Sequence, residues 1–323
     1  MKILFFGSDK FSSKFLEAII YSKHKVSLVV THSDKRKGRG LKFTPSPVKE
    51  ISSTFGIDLV QTEAIDKLFL EKLSYVDFDC IVVVSFGLIL SKALLDLTPG
   101  KCINVHPSLL PKYRGPSPIE SSLLNGEKET GISIIKMNER IDEGEIYVQA
   151  KFGIAEEDNK TSLEEKLIKI GSPLLISILD LLEEGELRTI PQDNSLATYT
   201  SFIKKEDLRI DWNKKAIDIV NRIRAFSFEP GCFTFWRGKR IKILKTKMCT
   251  ELCERGLLRG LTAKVEEFKN GSVLASDSKN GVLVKCGDGK VIRLELLKPE
   301  GKNVMTDLDF INGYPLKVGE VFE

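Results

Sequence analysis

Two side chains with chemical potential sit two residues apart at the end of an apolar run, Asn104 and His106 in I-N-V-H-P-S-L-L-P-K-Y-R-G-P-S-P-I-E (103–120). The chain has only three histidines, at 24, 32 and 106. On a strand, residues i and i+2 share a face, so the carboxamide and the imidazole point to one side and Val105 to the other. An amide donor beside an imidazole suits a reaction in which a carbonyl becomes a tetrahedral oxyanion and a proton must move. A strand-end histidine with a satisfied hydrogen bond is the plainer reading. What shifts the balance is a third group, Asp142 in I-D-E-G (141–144). A carboxylate reaching back to the ring would fix its tautomer.

Other chemistries lack their residues. The opening F-F-G-S-D-K-F has one glycine where a dinucleotide-binding turn needs G-x-G-x-x-G, and no G-x-x-x-x-G-K-[ST] occurs. No nicotinamide cofactor is therefore expected. Cys249 and Cys253 form half of a metal-ligand pattern, but no second Cys/His pair accompanies them, so buried or surface thiols and no metal are expected.

The positive charge is unevenly distributed. Residues 1–205 carry 27 Lys and Arg against 28 Asp and Glu, whereas residues 206–323 carry 22 against 17. Two basic segments stand out. D-K-R-K-G-R-G-L-K (34–42) offers Lys35, Arg36, Lys37, Arg39 and Lys42. W-R-G-K-R-I-K-I-L-K-T-K (236–247) offers Arg237, Lys239, Arg240 and Lys242 among six basic residues and no acidic one. Strand parity there puts Lys239, Ile241 and Ile243 on one face, with Arg240, Lys242 and Arg237 toward the other. Each segment reads either as solvated surface or as a clamp on a polyanion such as RNA.

The elements that must position these groups follow from periodicity. Short Val/Ile-rich runs at 2–6, 25–31, 57–61, 78–85 and 101–105 alternate with amphipathic stretches near 12–21, 45–55, 66–73 and 91–97. Strands apolar on both faces suit a parallel sheet covered by helices, so the first domain is expected to be a doubly wound, Rossmann-like α/β fold with its crevice at the carboxyl ends of the strands. A long helix is expected over 161–184, capped by Thr161 and Glu164 and kinked or split at Pro173. Beyond it, a helix near 214–226 precedes runs at 232–236, 240–245, 272–275, 281–286 and 291–297, separated by turn residues. That pattern predicts a small, OB-like β-barrel. The domains are thus expected at 1–189 and 208–323, with 190–207 as the linker. The longest apolar run, 80–90, is about half a membrane span and the N-terminal run is too short for a signal peptide, which predicts a cytoplasmic protein.

The stretch 104–119, together with E-T-G-I-S-I-I-K-M (129–137) and D-E-G (142–144), resembles the folate-dependent formyltransferases. The likeness runs nearly end to end. It continues through G-R-G-L-K-F-T-P-S-P-V-K (38–49), I-D-W (210–212), I-R-A-F (223–226), P-G-C-F-T (230–234), G-K-R-I-K-I (238–243), P-E-G-K (299–302) and D-F-I-N-G (309–313). It implies Asn104, His106 and Asp142 as a catalytic trio, 10-formyltetrahydrofolate as formyl donor and methionyl initiator tRNA as acceptor, in a monomeric enzyme. It further implies folate contacts from Ser108, Leu109, Leu110 and Pro111, and from Phe86, Gly87, Leu88 and Leu90; the last four also read as strand-end core. The first domain would be catalytic and the second would bind tRNA, with the two basic segments on the acceptor. Pro107 and the opening G-S-D-K-F depart from the pattern common among tRNA-directed members. Two alternatives stay open, a 10-formyltetrahydrofolate hydrolase on the same scaffold and an RNA-binding protein with an inactive α/β domain.

Overall fold

Each Val/Ile run of the first half forms a strand, and the order in which the strands pair decides where their ends meet. The computed structural model describes residues 1–37, 42–185, 187–249 and 262–323. In chain order the first half contains β1 (Lys2–Gly7), α1 (Lys10–Ile20), β2 (Lys25–Thr31), β3 (Lys35–Lys37), β4 (Lys42–Thr44), α2 (Pro47–Phe55), β5 (Leu59–Gln61), α3 (Lys67–Leu73), β6 (Cys80–Val84), α4 (Lys92–Leu95), β7 (Cys102–His106), α5 (Pro118–Leu124), β8 (Glu129–Lys136), β9 (Ile146–Gly153) and α6 (Lys160–Glu184). One seven-stranded sheet has the order β5-β2-β1-β6-β7-β8-β9. Its first five strands are parallel, whereas β8 and β9 are antiparallel to their neighbours. The sheet is therefore mixed and mostly parallel. The parallel strands were expected from their apolar runs; β8 and β9 were not.

The local reasons are visible in the caps. Asp9 accepts from Ser12 N and Ser12 Oγ accepts from Asp9 N, a closed capping box where a dinucleotide-binding protein would have its glycine turn. Ser46 and Pro47 start α2, and Asp66 caps α3. One side of the sheet packs Leu4, Phe6, Leu28, Val30, Ile81 and Val83 against Phe69 and Leu73 of α3. Two expectations for α6 are corrected. Its start is capped by Asn159 and Ser162, each accepting the other's backbone N–H, instead of by Thr161 and Glu164. It is also not split at Pro173, but runs on as one helix of 25 residues.

The chain divides into two compact units. The first comprises 1–118, 129–154 and 164–201; the second comprises 119–128, 155–163 and 202–323. The segment expected as a linker is thus shared between them, 190–201 with the first and 202–207 with the second. The second unit adds α7 (Ala216–Ala225), β10 (Cys232–Trp236), β11 (Lys239–Met248), β12 (Val273–Asp277), β13 (Gly281–Lys285), β14 (Val291–Pro299), β15 (Met305–Thr306) and α8 (Asp307–Gly313). They build an antiparallel sheet of order β10-β11-β14-β13-β12, with β15 beside β14. The inward residues of β10 and β11, among them Cys232, Thr234, Ile241 and Ile243, are buried. Among the described residues, no helix is long and apolar enough to cross a membrane.

Candidate active site

His106 ends β7, next to β6 on one side and to the antiparallel β8 on the other, where it pairs with Ser133. Asn104 is paired with Val83 of β6 and Ile135 of β8. The strand parity read from the sequence brings both side chains to Asp142. Asn104 Nδ2 donates to Asp142 Oδ1 at 2.9 Å. Asp142 Oδ2 accepts from Gly115 N at 2.8 Å and lies 3.5 Å from His106 Nδ1. His106 is buried, and its Nε2 is 2.9 Å from the carbonyl oxygen of Tyr113. A carbonyl can only accept, so Nε2 carries a hydrogen and Nδ1 faces the carboxylate. One of the two Asn104 amide hydrogens is committed to Asp142, which leaves the other to meet a substrate oxygen.

Asp142 reaches its partners from a left-handed backbone, with φ of 52°. That conformation costs on the order of 1 kcal/mol for a residue with a side chain and is most tolerable for Asp and Asn. The turn is closed by Gly144, where a Cβ would sit 1.7 Å from the carbonyl oxygen of Lys136. This explains the glycine of D-E-G. Backbone cannot yield as a flexible side chain can, so Gly144→Ala is expected to push the 142–144 turn away from β8. We expect a fall in kcat with a lower melting temperature, whereas a fully active, equally stable variant would show that the turn tolerates the shift.

The other residues expected at the folate site are distributed unevenly. Ser108 is buried and its hydroxyl donates to Lys112 O at 2.7 Å, while Leu110 N donates to Ser133 Oγ. Gln149 supports the same loop through Leu110 O and Ser133 Oγ, both at 2.8 Å. Leu109 and Pro111 are half-buried. Phe86 and Leu90 belong to the core of the sheet, with Leu88 packed against it. Gly87 has a φ of 80° with open space where a Cβ would be. The sequence reading missed His32, whose ring stacks on Phe86 at 4.8 Å and whose Nε2 is 2.6 Å from Phe86 O. It also missed Arg114 and Gln192, which support the Asp142 turn. Their signal was present in part: Arg114 stands in the motif K-Y-R-G, whereas nothing local marks Gln192.

Of the first basic segment, Arg39 and the side chains of Lys35, Arg36, Lys37 and Lys42 lie outside the described residues; the backbone of 35–37 pairs with 42–44 as β3 and β4. Cys253 lies outside them too. The second segment is described. Ile241 and Ile243 are core residues, Lys239 is exposed, and Arg237 pairs with Glu320 while lying over the Trp236 ring. Arg240 lies over Phe233 at 3.9 Å, and Arg209 over Phe235 at 5.6 Å. Lys242 donates to Pro230 O at 2.6 Å and pairs across the ladder with Lys298. Partial burial, helped by Arg240 and Lys298, lowers its pKa from the usual lysine value. A face of interleaved arginine, lysine and phenylalanine results. Phe233, Phe235, Arg209 and Lys298 were not anticipated; the alternation in C-F-T-F-W, which turns two phenylalanines outward, was the available signal.

One further group has the chemistry of metal ligands, His24, Asp180 and Glu183. It lies at the amino ends of the strands, and Lys23 Nζ is 3.0 Å from Asp180 while the Met1 amino group is 2.8 Å from Glu183. The buried thiols Cys102, Cys232 and Cys286 are pushed by burial up to about 12, which makes them inert at neutral pH.

Comparison with known proteins shows the family. Residues 1–179 match the family described as formyl transferase, and residues 202–315 match the formyl transferase C-terminal domain. The chain is 41% identical to the methionyl-tRNA formyltransferase of Dictyoglomus turgidum, covering 100% of this chain and 99% of that one. It is 40% identical to the enzyme of the same name from Carboxydothermus hydrogenoformans, over 100% of both. The chain belongs to the methionyl-tRNA formyltransferases. Solved structures agree on the fold of this family more widely. WlaRD, a sugar 3N-formyl transferase, superposes with a TM-score of 0.65 at 21% identity, over 94% of this chain and 99% of that one. HypX from Aquifex aeolicus, solved with tetrahydrofolic acid, gives 0.66 at 16% identity, over 99% of this chain and 48% of that one.

Proposed function

We propose that this protein transfers the formyl group of 10-formyltetrahydrofolate to the amino group of methionyl initiator tRNA, with Asn104, His106 and Asp142 as its catalytic residues. The observation that carries the site assignment is the single carboxylate of Asp142 joining the Asn104 amide, the Gly115 N–H and the His106 ring. The acceptor follows from full-length identity of about 40% to enzymes of that name.

The neutral amine attacks the formyl carbon, and the carbonyl oxygen takes the electron pair. The free Asn104 N–H donates to that oxygen, a role that is worth most where charge develops. Collapse of the intermediate breaks the bond from the formyl carbon to the folate nitrogen. The attack leaves the amine nitrogen as an ammonium, and the proton that it then loses is carried to the folate nitrogen. His106 Nδ1 and Asp142 together are the groups that accept and release it. The folate is held by the loops after β6 and β7, with Gly87, Leu88, Leu109 and Pro111 as the accessible contacts. No step requires a metal or a covalent enzyme intermediate.

The first unit is the catalytic domain in this reading, and the second binds tRNA. Arg209, Arg240, Lys242 and Lys298, with Phe233 and Phe235 beneath, would lie on the acceptor's backbone, and the basic residues of 34–42 are also assigned to it. We take the second sheet to close into an OB-like barrel. The support is the terminal segment, where Glu323 exchanges hydrogen bonds with Phe235 of β10 while Val273 of β12 bonds Glu320 O.

The direct test is incubation with labelled 10-formyltetrahydrofolate and charged initiator tRNA, with uncharged tRNA and free methionine as controls. Label should appear on methionyl-tRNA alone. Label released as formate, whether or not tRNA is present, would favour the hydrolase reading instead. A reduced folate should also raise the melting temperature, by the free energy of its binding to the native state. NADH and ATP should not; a shift with NADH and none with folate would sink the donor assignment.

A further inference from the structure

Arg114 is fully buried, a costly position for a guanidinium unless every donor is used. Its Nε and Nη2 donate to Gln192 Oε1 at 3.2 and 2.8 Å, and Nη2 also donates to Asn194 Oδ1 at 2.7 Å. Nη1 meets the Tyr199 hydroxyl at 3.0 Å and Glu143 at 3.2 Å. The Tyr199 hydroxyl donates to the same carboxylate, and with Arg140 and Arg114 it holds Glu143 below the usual carboxylate range against partial burial. The backbone of Arg114 is fixed as well, its N–H on Thr198 O and its carbonyl on Thr200 N.

Gln192 converts this node into control of the proposed catalytic turn. With its oxygen fixed by Arg114, its amide nitrogen must point the other way, and it donates to Asp142 O at 2.8 Å and to Gly144 O at 2.7 Å. One side chain thus grips both ends of the turn that holds Asp142 in its left-handed conformation. Arg114 also stands between Tyr113, whose carbonyl accepts from His106 Nε2, and Gly115, whose N–H donates to Asp142 Oδ2. Hydrogen bonds on both sides of Asp142 and His106 therefore trace to one guanidinium and one carboxamide.

We propose that Gln192, oriented by the buried Arg114, is a positioning residue for formyl transfer that acts through Asp142. The proposal rests on the reading of Asp142 as catalytic. Such a residue touches neither substrate, so its loss lowers kcat while leaving KM nearly unchanged, in contrast to a binding residue. Gln192→Glu keeps the shape and the acceptor for Arg114 but faces two carbonyls with a carboxylate; Gln192→Ala removes the grip altogether.

The experiment measures kcat, KM for each substrate and melting temperature for both Gln192 variants, for Asp142→Asn, and for the two double variants. Displacing a catalytic group by about 1 Å costs up to about 10²-fold. We expect a kcat loss of that order in each Gln192 variant, KM within about twofold, and no further loss when Asp142→Asn is already present. Near-parental kcat in both Gln192 variants, with Asp142→Asn slow, would overturn the positioning role and leave the Asp142 reading intact. Losses that multiply in the double variants would also overturn it, because the amide would then act by another route. If Asp142→Asn alone keeps full turnover, the reading of Asp142 has failed, and any Gln192 effect does not pass through it.

Discussion

Replacing Asn104 with alanine is expected to lower kcat by about 10²–10³-fold, with the melting temperature and the folate KM close to those of the parent. Asn104 is the one residue of β7 that is only half-buried, so truncation opens no core cavity. What it removes is the one amide aimed from the strand end beside His106, and with it the N–H available to an oxyanion. Asp142 loses a partner too, but keeps Gly115 N and its place beside the ring. Turnover therefore falls because the transition state is less well bound, while ground-state contacts to the pterin are untouched. Single-turnover kinetics with saturating tRNA will separate this step from product release. A variant that retains more than about a tenth of parental kcat would move the oxyanion donor elsewhere.

Affinity for tRNA should fall steeply with salt, and replacement of Arg240, Lys242 and Lys298 by glutamine should flatten that dependence. Each phosphate contact contributes somewhat under one unit to the slope of log affinity against log salt, through release of bound counterions. Loss of three contacts would reduce the slope by about 2–3 and weaken binding of different tRNAs alike, since phosphates carry no sequence. Lys242 lies between Arg240 and Lys298, and partial burial first, then those like charges, disfavour its ammonium. An anion placed there would relieve that repulsion, whereas a merely solvated surface gains nothing from one. Equal slopes for parent and variant would assign these residues to solvation, and acceptor binding would then fall to the basic residues of 34–42.

The two predictions draw on different levels of the molecule. Strand parity alone was enough to put Asn104 and His106 on one side, because an extended backbone alternates its side chains whatever surrounds it. The parallel strands and their helices were legible for a similar reason. Runs such as C-I-V-V-V are apolar on both faces, and Ser, Asp and Pro mark the starts of α1, α2 and α3. The resemblance to formyltransferases was also carried in local strings. Several of those strings prove to be structural: Trp212 bonds Thr234, and Arg224 binds the carbonyls of Ala155 and Asp158.

Other features depended on partners far away along the chain. The antiparallel course of β8 and β9 is a matter of sheet assembly that no local run encodes. Asn159 displaced Thr161 as the cap of α6 because a cap needs extended backbone at its own position, and several polar residues there compete for the role. The support of Asp142 was the least legible part. Gln192 lies 50 residues beyond the turn that it holds. A lone glutamine in an irregular stretch carries no periodic or compositional signal. Its role exists only because burial of Arg114 demands acceptors, and because an amide that gives its oxygen to a guanidinium must offer its nitrogen to whatever lies opposite. The sequence by itself determined which groups could do the chemistry; only tertiary packing, through that demand for satisfied buried charge, decided what holds them in place.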